Sequence, residues 1–254
     1  MRHFILGSIV CTFLNWVAPA SADTFNVAVS ANFLSTAEQL GKKFEASSTH
    51  KASFSSSSTG KLYAQIKNAA PFHVFLSADV KTPELLEQEK LAVIGTRFSY
   101  AQGKLVLWST KADFVDKQGK ILEHADKFQH IAIANPSSAP YGMAAQQTLR
   151  SLKLWDGLQN KLARGESISQ AMSFVSSGST ELGFVALSQI MDNDGKITSK
   201  GSFWIVPENL YEPMIQQAVL LKTGENNVAA KAFLAFLKTP VAQQIITAAG
   251  YGLP

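Results

Sequence analysis

From Asp23 onward, short apolar runs alternate with stretches whose apolar residues fall at helical spacing. That alternation predicts an α/β protein with buried, mostly parallel strands. Residues 25–31 read as a first strand, after which Phe33, Ala37, Leu40 and Phe44 share one helical face. Asn32 therefore sits at a strand-to-helix junction, where a capping residue belongs. A second unit has a strand over 51–54, a serine-rich turn over 55–60 and a helix carrying Leu62, Ile66 and Ala69. Residues 73–77 form a short apolar strand, and Thr82-Pro83 opens another helix with a cap and a proline at its first position.

Leu105 to Trp108, inside the segment 100–109, is an apolar run that carries the chain from one lobe to another, and the same grammar then restarts. Residues 131–134 read as a strand, 135–141 as a loop with two prolines and 143–152 as a helix. Glu166-Ser167 opens a further helix with Ile168, Ala171, Met172 and Val175 on one face. A buried strand over 182–187 and a returning strand over 216–221 follow. Helices over 228–237 and 240–249 close the chain, the last stopped by Gly250. Asp192-Asn193-Asp194-Gly195 reads as a turn, because a calcium loop would need an oxygen ligand where Lys196 stands. The expected architecture is two α/β lobes, with residues 23–102 and 211–254 in the first and 103–210 in the second.

The first 22 residues change the picture of where the chain works. Arg2 precedes an apolar stretch from Phe4 to Val17, which leads to Ala20-Ser21-Ala22. That is the form of a cleaved signal peptide, too short to span a bilayer comfortably, with small residues at the cut. An exported, periplasmic mature chain starting at Asp23 is expected. Cleavage removes the only cysteine, Cys11, so a disulfide framework and a zinc-thiolate site are excluded. The formal charge of +4 is mild and scattered, and no Arg-rich stripe with interleaved aromatics points to nucleic acid.

Catalytic signatures are thin. There is no G-x-S-x-G or H-E-x-x-H motif, and Gly60-Lys61 lacks the earlier glycine and the following Ser or Thr of a phosphate loop. His50, His73, His124 and His130 show no metal-ligand spacing. What the chain does offer is four helix starts rich in small polar or turn residues: Asn32, Ser58-Thr59, Pro140-Tyr141 and Ser167-Ile168. First-turn N–H groups have no intrahelical acceptor and lie at the positive end of the helix dipole, so four starts converging on one cleft would surround an anion with neutral donors. For any one of them, plain capping is the competing explanation.

Five segments carry a family resemblance: Ala-Val-Ser-Ala-Asn-Phe-Leu (28–34), Ser-Ser-Ser-Ser-Thr-Gly (55–60), Val-Phe-Leu-Ser-Ala-Asp (74–79), Asn-Pro-Ser-Ser-Ala-Pro-Tyr-Gly (135–142) and Leu-Gly-Phe-Val-Ala (182–186). Through them nearly all of residues 23–254 resembles the periplasmic molybdate-binding proteins of ABC transporters, which have the two-lobed type II solute-binding fold. The resemblance implies a side-chain donor at Asn32 with the Ala31 main-chain N–H beside it, and a hydroxyl donor at Thr59 with Ser58 as its close rival. It also implies backbone donors at Tyr141 and Ile168. Some members carry a Tyr hydroxyl where this chain has Ala186, which has no such donor.

The resulting expectation is a monomeric binding protein, not an enzyme, that captures molybdate or tungstate by lobe closure and delivers it to a membrane permease. No cofactor and no direct metal ligand are required. The alternatives are a binding protein for another oxyanion such as sulfate or phosphate, or for a metal ion, and a small transferase that uses the same cleft.

Overall fold

The computed structural model describes residues 23–192, 195–197 and 200–254. The expected signal peptide lies outside them, as do Asn193 and Asp194 of the expected turn. In chain order the elements are β1 (Thr24–Ser30), α1 (Leu34–Glu45), β2 (Lys51–Ser57), α2 (Thr59–Lys67), β3 (Val74–Leu76), α3 (Lys81–Gln88), β4 (Phe98–Gly103) and β5 (Leu105–Ser109). Then come β6 (Ile131–Ala134), α4 (Pro140–Ser151), α5 (Trp155–Leu158), β7 (Leu162–Gly165), α6 (Ile168–Ser176), β8 (Leu182–Ala186), β9 (Ser202–Ile205), β10 (Met214–Leu220), α7 (Val228–Phe236) and α8 (Pro240–Ala248).

The strands form two five-stranded sheets, ordered β2-β1-β3-β10-β4 and β7-β6-β8-β5-β9. The chain leaves the first sheet at Gly103, enters the second at Leu105, and returns to the first at Met214. Both sheets are mixed, but in each of them four strands run the same way and one runs against them, in keeping with the expected mostly parallel sheets. β1–β2, β1–β3, β6–β7 and β6–β8 pair parallel through helical crossovers. β10 runs against β3 and β4, and β5 runs against β8 and β9. The antiparallel pairs therefore all involve the two strands that arrive by crossing between the sheets.

The serine run departs from the expected turn. Ser55, Ser56 and Ser57 continue β2, pairing in register with Ala28, Val29 and Ser30 of β1. β2 is an edge strand, with Lys51, Ser53 and Ser55 exposed and Ala52 and Phe54 half-buried between them. Period-two alternation at an edge places serines in water, where their weak strand propensity is tolerated. The turn shrinks to Ser58 alone, and α2 starts directly at Thr59.

Helix ends follow local chemistry. Ser167, Asn227 and Thr239 cap α6, α7 and α8 by accepting from the N–H groups of Gln170, Ala230 and Ala242. α4 starts at Pro140 rather than at Met143, since proline suits a first helical position. Gly142 lets that first turn press onto the end of β6, for a Cβ there would collide with the Ala134 carbonyl.

Each sheet has its own core. Around the first, Phe233 of α7 is fully buried and its ring lies 5.3 Å from Phe25, 5.4 Å from Phe44 and 6.2 Å from Phe54. The second is built on the apolar strands β5, β6 and β8, with Tyr141 and Leu149 of α4. Phe233→Ala is expected to cost about 3–5 kcal/mol of stability, seen as a lowered urea midpoint. A loss below about 1 kcal/mol would show that the ring does not anchor this core.

Candidate anion-binding site

The C-terminal ends of the parallel strands in both sheets point at the same small pocket. From the first sheet come Ser30, Ala31 and Asn32 after β1, Ser58 and Thr59 after β2, and Ala78 after β3. From the second come Ala139, Pro140 and Tyr141 after β6, and Ile168 after β7. This is where open α/β sheets present ligand crevices, because the helices that follow the strands begin there. All six residues singled out in the sequence, Ala31, Asn32, Ser58, Thr59, Tyr141 and Ile168, line this one small space. Pro140, of the Pro140-Tyr141 helix start, lines it as well, and so do Ser30, Ala78 and Ala139, which were not anticipated. Ala186 ends β8 outside this lining, and its N–H donates to Gln189 Oε1 at 2.9 Å.

Capping explains only one of the four helix starts. Ser167 caps α6 through Gln170 N–H at 3.3 Å. Ser58, which precedes α2, makes no side-chain cap, and neither does Ser30 at the short 3-10 turn Ala31–Phe33. Ala139, before α4, has no side chain able to cap. The hydroxyls are directed elsewhere. Ser30 Oγ and Thr59 Oγ1 lie 2.7 Å apart, and Ala78 N–H donates to the first at 3.0 Å and to the second at 3.4 Å. Ser58 Oγ is buried with no hydrogen-bond partner among the described residues.

Asn32 differs from the expected side-chain donor. Its Nδ2 donates to Gln216 Oε1 at 2.9 Å and to the Tyr251 hydroxyl at 3.2 Å, which uses both amide hydrogens. What remains for the pocket is the main chain of Ala31 and Asn32. The side chain instead organises a buried polar cluster beneath the pocket. Tyr251 donates to Asn32 O at 2.6 Å, Tyr100 donates to Gln216 Oε1 at 3.1 Å, and Gln216 Nε2 reaches the Tyr141 hydroxyl at 3.5 Å. Gln216 stands out in retrospect as a fully buried amide within the apolar strand β10. Tyr251 lies beyond the last helix, where no sequence pattern pointed to it.

Contacts between the two halves of the chain ring the pocket. Gly60 N–H donates to Ser138 O at 2.9 Å, and Gly60 has no Cβ to block the approach: one would lie 3.1 Å from Ser138 Cα. Lys61 pairs with Glu166 at 3.1 Å, and Ser169 Oγ donates to Ala31 O at 3.3 Å. Ser188, just after β8, contacts Asn32 O at 3.2 Å and the Tyr251 hydroxyl at 2.9 Å.

Among the described residues, no charged side chain lines the pocket. Asp79 follows Ala78, but its carboxylate accepts from Ser77 Oγ, Thr82 N–H and Thr82 Oγ1, at the start of α3. Burial pushes Tyr100, Tyr141 and Tyr251 above the ordinary tyrosine range and so holds their hydroxyls neutral. The site is a set of neutral donors, partly unsatisfied, at converging helix starts.

A pocket ringed by contacts between two sheets that exchange two crossing strands defines a two-lobed binding architecture. The sequence matches the model of the bacterial extracellular solute-binding protein family over residues 25–252, and the chain belongs to that family. It is 51% identical to the molybdate-binding protein ModA of Azotobacter vinelandii, with 92% of each chain covered. It is 46% identical to ModA of Rhodobacter capsulatus, covering 92% of this chain and 90% of that one. The solved periplasmic molybdate-binding protein of Azotobacter vinelandii superimposes with a TM-score of 0.87 at 47% identity, covering 91% of this chain and 99% of that one.

The tyrosine cluster predicts a pH dependence. A tyrosine whose pKa is raised by folding binds its proton more tightly in the native state, so its stabilising contribution is complete below the unfolded value near 10 and is lost as pH rises above it. The urea midpoint is expected to fall as pH rises through about 10, and to fall less steeply in Tyr251→Phe. Equal slopes in the two proteins would show that Tyr251 does not contribute.

Proposed function

We propose that this protein captures molybdate or tungstate outside the cytoplasm and delivers it to the permease of an ABC transporter. The observation that carries the reading is the Ser58 hydroxyl, buried at the pocket wall without a partner among the described residues. A buried polar group left unpaired costs about 1–3 kcal/mol. A site that accepts that cost beside the first turns of α2, α4 and α6 is suited to an external acceptor, and a small oxyanion fits a lining with no charge and many donors. The identities of 51% and 46% to proteins named for molybdate binding support the choice of ion.

In this reading residues 23–102 and 211–254 form one lobe and residues 103–210 the other. The ion enters while the lobes are apart, and closure adds donors from the second. Ala31, Asn32 and the hydroxyls of Ser58 and Thr59 hold it from one side, and the main-chain N–H groups of Tyr141 and Ile168 hold it from the other. Asn32 acts through its main chain, its side chain being committed to Gln216 and Tyr251. The working form is a periplasmic monomer beginning at Asp23, and no bond is made or broken in the ligand.

The donor set dictates selectivity. Every proposed contact is a neutral donor, so a fully deprotonated dianion can accept from all of them. Phosphate near neutral pH keeps a proton for which no carboxylate is present among the lining residues. Burying that proton unpaired costs about 1–3 kcal/mol or more. Sulfate matches molybdate in charge but has shorter bonds to oxygen, which stretches its hydrogen bonds in a shell fixed by helix starts. Titration calorimetry is expected to give tight binding of molybdate and tungstate, with sulfate and phosphate weak or undetected. Sulfate or phosphate binding as tightly as molybdate would overturn the choice of ion. A wild-type protein that binds none of the four would overturn the function.

Ser58→Ala separates a ligand contact from a structural hydroxyl. Removing an unpaired buried hydroxyl is expected to leave the ligand-free protein as stable as the wild type or more so, while weakening molybdate binding about tenfold. Thermal unfolding without ligand and calorimetry with it read the two effects. Unchanged affinity would remove Ser58 from the site.

A further inference from the structure

Ser30 is the polar residue at the pocket that the proposed contact set leaves without a role. It ends β1, is 1% exposed, and lines the pocket next to Thr59, which is 2% exposed. The two hydroxyl oxygens are 2.7 Å apart, so one of their two protons occupies the bond between them. The second proton has to point away from that bond. Which residue keeps it depends on the direction of the shared bond, and Ala78 supplies that direction. Its N–H donates to Ser30 Oγ at 3.0 Å and is more distant from Thr59 Oγ1, at 3.4 Å.

An oxygen that accepts from an N–H becomes the better donor, and successive bonds pointing the same way strengthen one another. The favoured order runs from Ala78 N–H to Ser30, from Ser30 O–H to Thr59, and from Thr59 O–H into the pocket. Without Ser30 the Thr59 hydroxyl is free to rotate and can serve as an acceptor as readily as a donor.

We propose that Ser30 is a positioning residue that locks Thr59 as a hydrogen-bond donor to the bound oxyanion, and so sets the site against anions that carry a proton. The proposal rests on the oxyanion-binding reading above. It places selectivity in a residue that need not touch the ligand. A locked Thr59 has its two lone pairs facing the Ser30 hydroxyl and the Ala78 N–H, and so has none to spare for the proton of hydrogen phosphate, whereas an unlocked one does.

Calorimetry on the full-length mature protein, with molybdate and with inorganic phosphate at neutral pH, tests this. Ser30→Ala is expected to weaken molybdate binding by about two- to tenfold, up to the scale of one hydrogen bond to a charged ligand, and to narrow the gap between molybdate and phosphate. Ser30→Thr, which restores the hydroxyl, is expected to recover both. In a Thr59→Val background, Ser30→Ala is expected to add little further loss, because the residue through which it acts is gone. Ser30→Cys keeps the side-chain volume with only a weak donor and is expected to behave like Ser30→Ala, which covers the case of a poorly folded alanine variant. A merely structural Ser30 would lower the melting temperature while leaving the molybdate-to-phosphate ratio and the double-mutant coupling at zero change. That result, in a wild type that binds molybdate, overturns this inference alone. A wild type that binds no oxyanion overturns the functional reading and this inference with it.

Discussion

An N–H in the first turn of a helix has no acceptor within that helix, and the rest of this structure is arranged around that shortfall. Parallel strands deliver the chain to the start of each following helix on the same side of a sheet. β1, β2, β6 and β7 all end at the pocket. Two sheets facing each other at those ends bring several such starts into one small space. Side chains that would ordinarily cap them are absent there, as at Ala139, or turned away, as at Ser30 and Ser58. Ser167 is the exception, and its cap onto Gln170 N–H fixes the first turn of α6 without consuming the N–H of Ile168.

Such a space needs a rigid floor. The floor is Asn32, Gln216, Tyr100, Tyr141 and Tyr251, a buried cluster with amide and phenol groups paired to one another. Burying so many polar groups is tolerable only when they are satisfied, and pairing makes the arrangement directional where an apolar floor would slide. The cluster also spans the two halves of the chain. Gln216 belongs to the returning strand β10, Tyr141 to α4 of the other half, and Ser188 reaches Asn32 and Tyr251 from beyond β8. Pocket shape is thereby tied to the relation between the sheets.

Much of this was legible in the residues. Apolar runs located β1, β6 and β8 to within a residue or two, and small polar residues at the junctions led to Asn32, Thr59, Tyr141 and Ile168, which the fold does bring together. Periodicity failed where tertiary pairing decides the conformation. Ser55, Ser56 and Ser57 look like a turn until β1 offers a parallel partner at the sheet edge. β4, β7 and β9 were not anticipated, because 98–103, 162–165 and 202–205 mix polar and apolar residues without a clean alternation. The direction of a side chain was equally hidden. Asn32 at a junction reads as a donor toward a ligand, and only the distant Gln216 and Tyr251, 184 and 219 residues away, draw its amide inward.

The lack of charge in the lining bears on release as much as on capture. A lysine or arginine at the pocket would attract an anion over a long range and at many geometries, holding it whether the lobes were together or apart. Neutral donors act only within hydrogen-bonding distance and with the right alignment. Donors divided between two lobes are fully engaged only when both lobes meet the ion, so separating them removes part of the shell at once. The surrounding contacts are of the same modest kind: the single Gly60–Ser138 bond, a Lys61–Glu166 pair about half exposed on each side, and two serine hydroxyls. An exposed pair of that type contributes about 0–1 kcal/mol. Beneath these contacts the Gln216–Tyr141 and Ser188–Tyr251 pairs of the buried floor also join the two halves, and Ala31, Tyr211 and Met214 pack into the second core. In the proposed function, the neutrality expected to disfavour a protonated anion also leaves the captured ion held only by short-range contacts.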